Sequence, residues 1–365
     1  MLRKRKKKAI RSDVMQVIIP LAGEGTRMRP HTHTKPKPLI EFAGKSCLSH
    51  ILDEFKLFNE KQKSLLAAHK KVEKIGTISE VIFITGRMKE KIEDFVKKNY
   101  DFKARFIEQK VRDGTAGAIR LAQPYVKEPV IIVYVDTIFE ADLELINKLK
   151  PEEGGIIWAK EVEDYQRFGV CVLDKKGYIQ KIIEKPSEPI SKLANIGLYY
   201  IKDYKLMFEG IKHIYDNNIS LKGEYYVVEA FNYMMNKGVK FISPQIEGWY
   251  DTGKPETFME SHRQLLKKNN KVIDTENSVI IPPVHIADGV KIKDSVIGPY
   301  VSISKGAEIT NSIIKDSVIG ERAKVRDVLL ENSIIGDEAR VDDNFKSLSV
   351  GDHCVISFAE RKKES

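Results

Sequence analysis

Val14-Met-Gln-Val-Ile-Ile-Pro-Leu-Ala-Gly-Glu-Gly-Thr-Arg-Met-Arg-Pro30, followed by Lys35-Pro-Lys-Pro38, decides how the chain reads. Val14–Ile19 is a short apolar strand, and a glycine-rich turn follows it directly. Such a turn lets backbone N–H groups approach phosphate oxygens with no Cβ in the way. Arg27 and Lys37 add fixed positive charge of the kind a polyphosphate requires. The stretch lacks the Gly-Lys-Ser/Thr of a P-loop, and the third glycine of a dinucleotide fingerprint is replaced.

Outward from this turn, strand-like and helix-like runs alternate. Cys47 to about Ile75 reads as a long helical segment, with Leu48, Ile51, Leu52, Phe55 and Phe58 spaced by three and four. Val81–Thr85 and Ala104–Glu108 read as strands, and Lys89–Lys98 and Gly114–Ala122 as helices. Val130–Val135 is the continuous β-branched run of a buried parallel strand. Shorter strands follow at Ile156–Lys160, Gly169–Leu173, Ile179–Glu184 and Gly197–Ile201. A helix is expected near Tyr225–Asn236 and a closing one over Pro255–Lys268. This order implies an α/β sandwich over residues 14–268 whose ligands sit at the carboxyl ends of its strands. A polar linker is expected at 269–276.

After Asn277 aliphatic residues come in pairs six apart: Ile286/Ile292, Ile303/Ile309, Ile319/Val325 and Ile335/Val341. Each pair follows the last by 17, 16 and 16 residues. Asp294-Ser-Val-Ile-Gly298, Asp316-Ser-Val-Ile-Gly320 and Asn332-Ser-Ile-Ile-Gly336 repeat one signature. A triangular coil gives this period, and its aliphatic face must be buried by stacking, so a β-helix is expected over 277–358. A charged tail closes the chain at 359–365.

Composition narrows the function classes. The 365 residues carry a net charge of +9, of which residues 1–13 hold +6, from seven basic side chains and Asp13. The body is therefore only mildly basic and demands no nucleic-acid partner; only the 1–13 leader argues for one. That leader reads as a flexible solvated tail or as sequence ahead of a start at Met15, at the beginning of the first strand, with a basic arm for RNA, DNA or anionic lipid as the competing reading, and it has no signal-peptide core. No run approaches the roughly 18 apolar residues of a membrane span. Cys47, Cys171 and Cys354 are odd in number and far apart, which excludes a disulfide scaffold or cysteine-ligated zinc and fits a cytoplasmic protein.

In order, Gly23, Gly25, Thr26, Arg27, Pro30 and Lys37 match Gly-x-Gly-Thr-Arg-x-x-Pro…Pro-Lys-Pro. The chain thereby resembles the sugar-1-phosphate nucleotidyltransferases, or NDP-sugar pyrophosphorylases. Within them it looks most like glucose-1-phosphate thymidylyltransferase-like proteins with a hexapeptide tail. The resemblance implies a Rossmann-like (GT-A-like) mixed-sheet domain followed by a left-handed parallel β-helix. It implies nucleotide contacts from Leu21, Ala22, Gly23, Gly25, Thr26, Gln109, Gly114 and Thr115. A Gln109 amide can donate to and accept from a base edge. It also implies sugar-phosphate contacts from Gly169, Glu184, Lys185 and Asn195. Phe168-Gly169-Val170 and Asn195-Ile-Gly197 look like sugar-pocket segments, and Glu184-Lys185-Pro186 resembles the family's Glu-Lys-Pro. Gly223-Glu224-Tyr225 and Glu229 extend the pocket, most aromatic residues there being read as core. Asp136, after the apolar run, and Asp251, in Trp249-Tyr-Asp-Thr-Gly253, are the implied Mg²⁺ ligands. Val135 stands where many members have glycine and Thr137 where asparagine is common.

The implied reaction is NTP + sugar 1-phosphate → NDP-sugar + pyrophosphate, with Arg27, Lys37 and Lys185 neutralising and aligning the phosphates. No general base is expected, because the sugar phosphate is largely ionised at neutral pH. dTTP or UTP and glucose 1-phosphate are the favoured substrates, and a homo-oligomer is expected. The competing readings are a non-catalytic sensing or scaffolding relative, and a bifunctional enzyme whose β-helix transfers acyl groups through His285 or His353.

Overall fold

The computed structural model describes residues 11–67, 74–246 and 248–343. Residues 1–10 of the leader, the 359–365 tail, Cys354 and His353 lie outside the described residues, as does the end of the expected β-helix, while the backbone of residues 11–13, expected in the leader, already belongs to the first strand. Two compact units divide between Leu265 and Leu266.

In chain order the first unit contains β1 (Arg11–Leu21), β2 (Glu41–Phe42), β3 (Lys45–Ser46), α1 (Cys47–Ala67), β4 (Lys74–Thr85), α2 (Lys89–Asn99), β5 (Ala104–Glu108), α3 (Thr115–Arg120), β6 (Val130–Val133), β7 (Thr137–Glu140), β8 (Glu153–Glu161), β9 (Gly169–Leu173), β10 (Ile179–Glu184), β11 (Leu193–Ile201), α4 (Tyr204–Asp216), α5 (Val227–Asn236), β12 (Lys240–Ile242), β13 (Gly248–Asp251) and α6 (Pro255–Leu266). The main sheet runs β10-β9-β11-β6-β1-β4-β5, with β8 on β11 and β12 on β8. The β6-β1-β4-β5 half is parallel, whereas β11 pairs with β6 and β8 in antiparallel fashion. Alternation along the central strands divides the core. Ile18, Ile82, Ile84, Val130 and Ile132 pack toward α3, α4 and α5. Val17, Ile19, Val81, Phe83, Ile131 and Val133 pack toward α1 and α2.

The strand at 74–85 corrects the long helix expected to reach Ile75. Described helix ends at Ala67, and backbone from Lys74 already pairs with β1 from Arg11. The period of three and four therefore stops short, and Thr77, Ile78 and Val81 favour strand. β6 also ends at Val133, not Val135, because the chain turns at Tyr134–Asp136 into β7. α4 had no counterpart in the sequence reading; Asp203 caps it by accepting from the Leu206 N–H at 3.0 Å.

The second unit is a left-handed parallel β-helix. Each aliphatic pair stacks on the next: Ile286 on Ile303, Ile319 and Ile335, and Ile292 on Ile309, Val325 and Val341. A third face stacks Ile280, Ile297, Ile314 and Leu330. The Asp/Asn-Ser signature occupies two faces instead of one. Ser312 follows Ser295 in one column, and Ser333 follows Ser317 in another. In each case the upper serine's N–H donates to the hydroxyl below, and the preceding Asp294, Asn311, Asp316 and Asn332 turn the corner in left-handed conformation. Asp and Asn enter that region more readily than other residues with a side chain. The expected linker is already part of the coil: Lys271 bridges to His285, Glu276 bridges to Lys293, and Ile273 packs on the β-helix core.

Candidate active site

β1 ends at Leu21, and the loop after it delivers Gly25 into left-handed backbone (φ 64°) at the start of the turn Thr26–Met28. An added Cβ there would lie 3.0 Å from the Thr32 methyl and 3.1 Å from Lys37 Cβ, so glycine also satisfies the packing. Gly23 has open space where a Cβ would point, the condition for a ligand to approach its backbone. These residues line a cavity of about 370 Å³. Leu21, Ala22, Gly23, Gly25, Thr26, Arg27, Lys37, Gln109, Gly114 and Thr115 all contribute to its wall, as does Asp136.

The close backbone approach at Gly114 is made to the protein. With φ 113°, its missing Cβ would fall 2.4 Å from the Tyr225 carbonyl oxygen. Tyr225 is locked there: its N–H donates to Asp113 O and its carbonyl accepts from Ala116 N–H. The Thr115 hydroxyl likewise accepts from the Val227 N–H at 3.0 Å. The start of α3 and the start of α5 are thus one rigid junction.

A second cavity, of about 680 Å³, adjoins the first. Arg27, Thr115, Tyr134, Asp136 and Glu224 line both. Gly169, Glu184, Lys185, Asn195 and Asp251 line the second. Register explains how distant residues meet there. β7 and β13 form an antiparallel ribbon in which Thr137 lies opposite Asp251, bringing Asp136 and Asp251 to the same end. Thr137 donates its hydroxyl to Ile196 O at 2.6 Å. Gly169 acts as a spacer: a Cβ would lie 2.4 Å from the Asn195 amide and 2.8 Å from the Glu184 carboxylate. Asn195 is buried, donating to Gly169 O at 2.6 Å and accepting from the Tyr199 hydroxyl at 2.5 Å.

The electrostatics are mixed by design of charge pairs. Lys37 Nζ, mostly buried, lies 3.6 Å from Asp136 Oδ2. Asp251 Oδ2 accepts from Arg167 at 2.8 Å, while Oδ1 accepts from the Gly253 N–H at 2.7 Å. Burial pushes the Glu184 carboxyl up to about 7, with Glu229 and Glu224 adding to the rise against the pull of Lys185. Two carboxylates on one cavity offer the hard oxygen donors that Mg²⁺ accepts, with phosphate and water supplying the rest. Among the described residues no group of three or more His, Cys, Asp or Glu converges, so no protein-only cage is formed there. The donor set fits Mg²⁺ shared with a phosphate, provided Arg167 yields part of Asp251.

Sequence reasoning missed Arg112, Arg167, Tyr134 and Tyr226. Arg112 lines the first cavity and pairs with Glu24 of the glycine turn at 2.5 Å, which holds the Glu24 carboxyl below its usual range. Its place between Gln109 and Gly114 was the available signal. Arg167 adjoins Phe168-Gly169 and could have been read with them. Tyr226 follows the Gly223-Glu224-Tyr225 segment but reads as core in an aromatic-rich run.

These features lie beyond the carboxyl ends of central strands in a doubly covered α/β sheet, where such folds bind their ligands. The chain belongs to the nucleotidyl transferase family, whose model matches residues 16–268; a GlmU-like C-terminal hexapeptide model matches residues 270–325. It is similar to a bifunctional protein GlmU of Methanocaldococcus jannaschii, 36% identical over 279 residues that cover 75% of this chain and 61% of that protein. It is also similar to the UTP–glucose-1-phosphate uridylyltransferase AglF of Haloferax volcanii, 28% identical over 270 residues, 71% of this chain and 100% of that one. The chain thus spans about three-fifths of the length of the GlmU proteins it matches. A solved UDP-glucose pyrophosphorylase in complex with UDP-glucose shares the fold, at a TM-score of 0.56 and 22% identity over 70% of this chain and 99% of that one.

Proposed function

We propose that this protein joins a nucleoside triphosphate to a sugar 1-phosphate, forming an NDP-sugar and releasing pyrophosphate. The shared wall carries the reading: Arg27 and Asp136 line both cavities, where an α-phosphate and a sugar phosphate would meet. A phosphate oxygen of the sugar 1-phosphate attacks the α-phosphorus and pyrophosphate leaves. Charge repulsion is the obstacle, and fixed cations answer it. Arg27 and Lys37 hold the departing pyrophosphate, and Lys185 orients the attacking phosphate. Asp136 and Asp251 would hold Mg²⁺, which supplies charge neutralisation at the phosphates.

The base is read as a pyrimidine, from the buried Gln109 beside Gly114, and the named activity of the Haloferax relative favours UTP over dTTP. Glucose 1-phosphate is the favoured sugar on the same ground. We place the reaction in the cytoplasm; Cys47 and Cys171 are buried free thiols, and among the described residues no helix is long and apolar enough to cross a membrane. The stacked coils are read as a homo-oligomer contact. A panel of NTPs and sugar 1-phosphates scored by released pyrophosphate tests the reading; release from no pair, with Mg²⁺ present, rejects it in favour of a sensing or scaffolding role.

A further inference from the structure

Lys185 is the first residue after β10, and it holds left-handed backbone (φ 46°). Its N–H donates to Phe168 O at 3.0 Å, extending the β9–β10 pairing by one bond, and its left-handed backbone then turns the chain out of the sheet. The side chain is half-exposed, on a flexible four-carbon stem, and its direction must be set by something else. Its Nζ lies 2.7 Å from the Tyr226 hydroxyl. That hydroxyl lies 2.5 Å from Glu224 Oε2.

The polarity of this chain is fixed by chemistry. An ammonium group only donates and a carboxylate only accepts. The Tyr226 oxygen therefore accepts from Lys185, and its own proton is given to Glu224. Tyr226 is anchored as the residue before α5, in the junction where Tyr225 is hydrogen-bonded to Asp113 and Ala116. We infer that Tyr226, oriented by Glu224, is a positioning residue that aims the Lys185 ammonium at the sugar phosphate. This rests on the reading of Lys185 as the cation for that phosphate. One of the three ammonium protons is held by Tyr226, while Glu184 Oε1, 4.0 Å away, attracts the charge without a hydrogen bond, so Tyr226 fixes how the remaining two donors point. The same contact ties the sugar-phosphate cation to the wall of the nucleotide cavity through Gly114 and Thr115.

Steady-state kinetics of pyrophosphate release by the full chain tests this. Tyr226→Phe, folded by its melting curve, is expected to lower kcat about tenfold, with KM for the NTP within about twofold of wild type. Glu224→Ala gives a smaller loss in the same direction, and Glu224→Gln, which keeps an acceptor, restores most of it. In a Lys185→Ala background, Tyr226→Phe adds nothing. Wild-type turnover in Tyr226→Phe, or an undiminished tenfold loss when Lys185 is already gone, overturns the inference. Should Tyr226→Phe fail to fold, the exposed Glu224 decides: unchanged turnover in Glu224→Ala overturns it equally. An inactive wild type on every substrate pair overturns this inference together with the reading beneath it, whereas an active wild type with insensitive variants overturns the inference alone.

Discussion

The two adjoining cavities are built on different principles. The first is shaped largely by backbone: a left-handed Gly25, an open Gly23 and a Gly114 pressed on Tyr225. The second is shaped by side chains already engaged with one another, Arg167 with Asp251, Lys185 with Tyr226, and Asn195 with Tyr199. A backbone cradle is complete before its ligand arrives. A lattice of side-chain bonds must be partly exchanged when ligand enters, so it can be tuned residue by residue.

The largest expected effect lies on the shared wall. Arg27→Ala or Asp136→Ala should cut pyrophosphate release by about a thousandfold, Arg27→Ala with the melting temperature unchanged because its side chain is exposed, and Asp136→Ala with a modest drop because Lys37 loses its partner. Retained turnover in either folded variant would remove that residue from the chemistry. Next comes the backbone cavity. Gly114→Ala forces a Cβ into the Tyr225 backbone from a left-handed conformation, and is expected to cost about 3 kcal/mol in chemical denaturation. A loss below about 1 kcal/mol would mean that the junction is softer than its hydrogen bonds suggest.

In the second cavity the effects are smaller and depend on conditions. Glu184 holds its proton up to about pH 7 in the folded chain, above the ordinary carboxylate range. The folded state then binds more protons than the unfolded one, so stability falls as pH rises through that window. Glu184→Gln should therefore exceed wild type by about 2 kcal/mol at pH 8 and lose the advantage below about pH 4.5; equal stability at pH 8 would deny the burial penalty. Arg167→Ala, which frees a carboxylate oxygen of Asp251, should lower the Mg²⁺ concentration giving half-maximal activity by several-fold. A rise instead would show Arg167 to be a substrate contact and not a competitor for the aspartate.

The same division explains what could be read in the sequence. Backbone-built features leave a direct trace, since Gly23, Gly25 and Gly114 are written in residue types, and the β-helix announces itself through a period. The register of β7 on β13, which joins Asp136 to Asp251, leaves no local trace; two short strands more than a hundred residues apart can be paired only by the surrounding fold. Side-chain exchanges were the hardest to see. Tyr226 reads as core because tyrosine is equally at home there, and its hydroxyl's role depends on where Lys185 and Glu224 end up. The overlong helix after Cys47 failed for a related reason, since strand pairing from Lys74 outweighs a helical period carried past its last buried residues.

The ribbon of β7 and β13 also sets a timetable. A ribosome adds roughly 5–20 residues each second, so the strand bearing Asp251 is made many seconds after Asp136. Throughout that interval the nascent polypeptide already owns its glycine turn and both early cations, yet has only half of the paired carboxylates. On the proposed roles of Asp136 and Asp251, chemistry at this centre begins only once synthesis has passed β13, and a product terminated before Gly248 is expected to be inert.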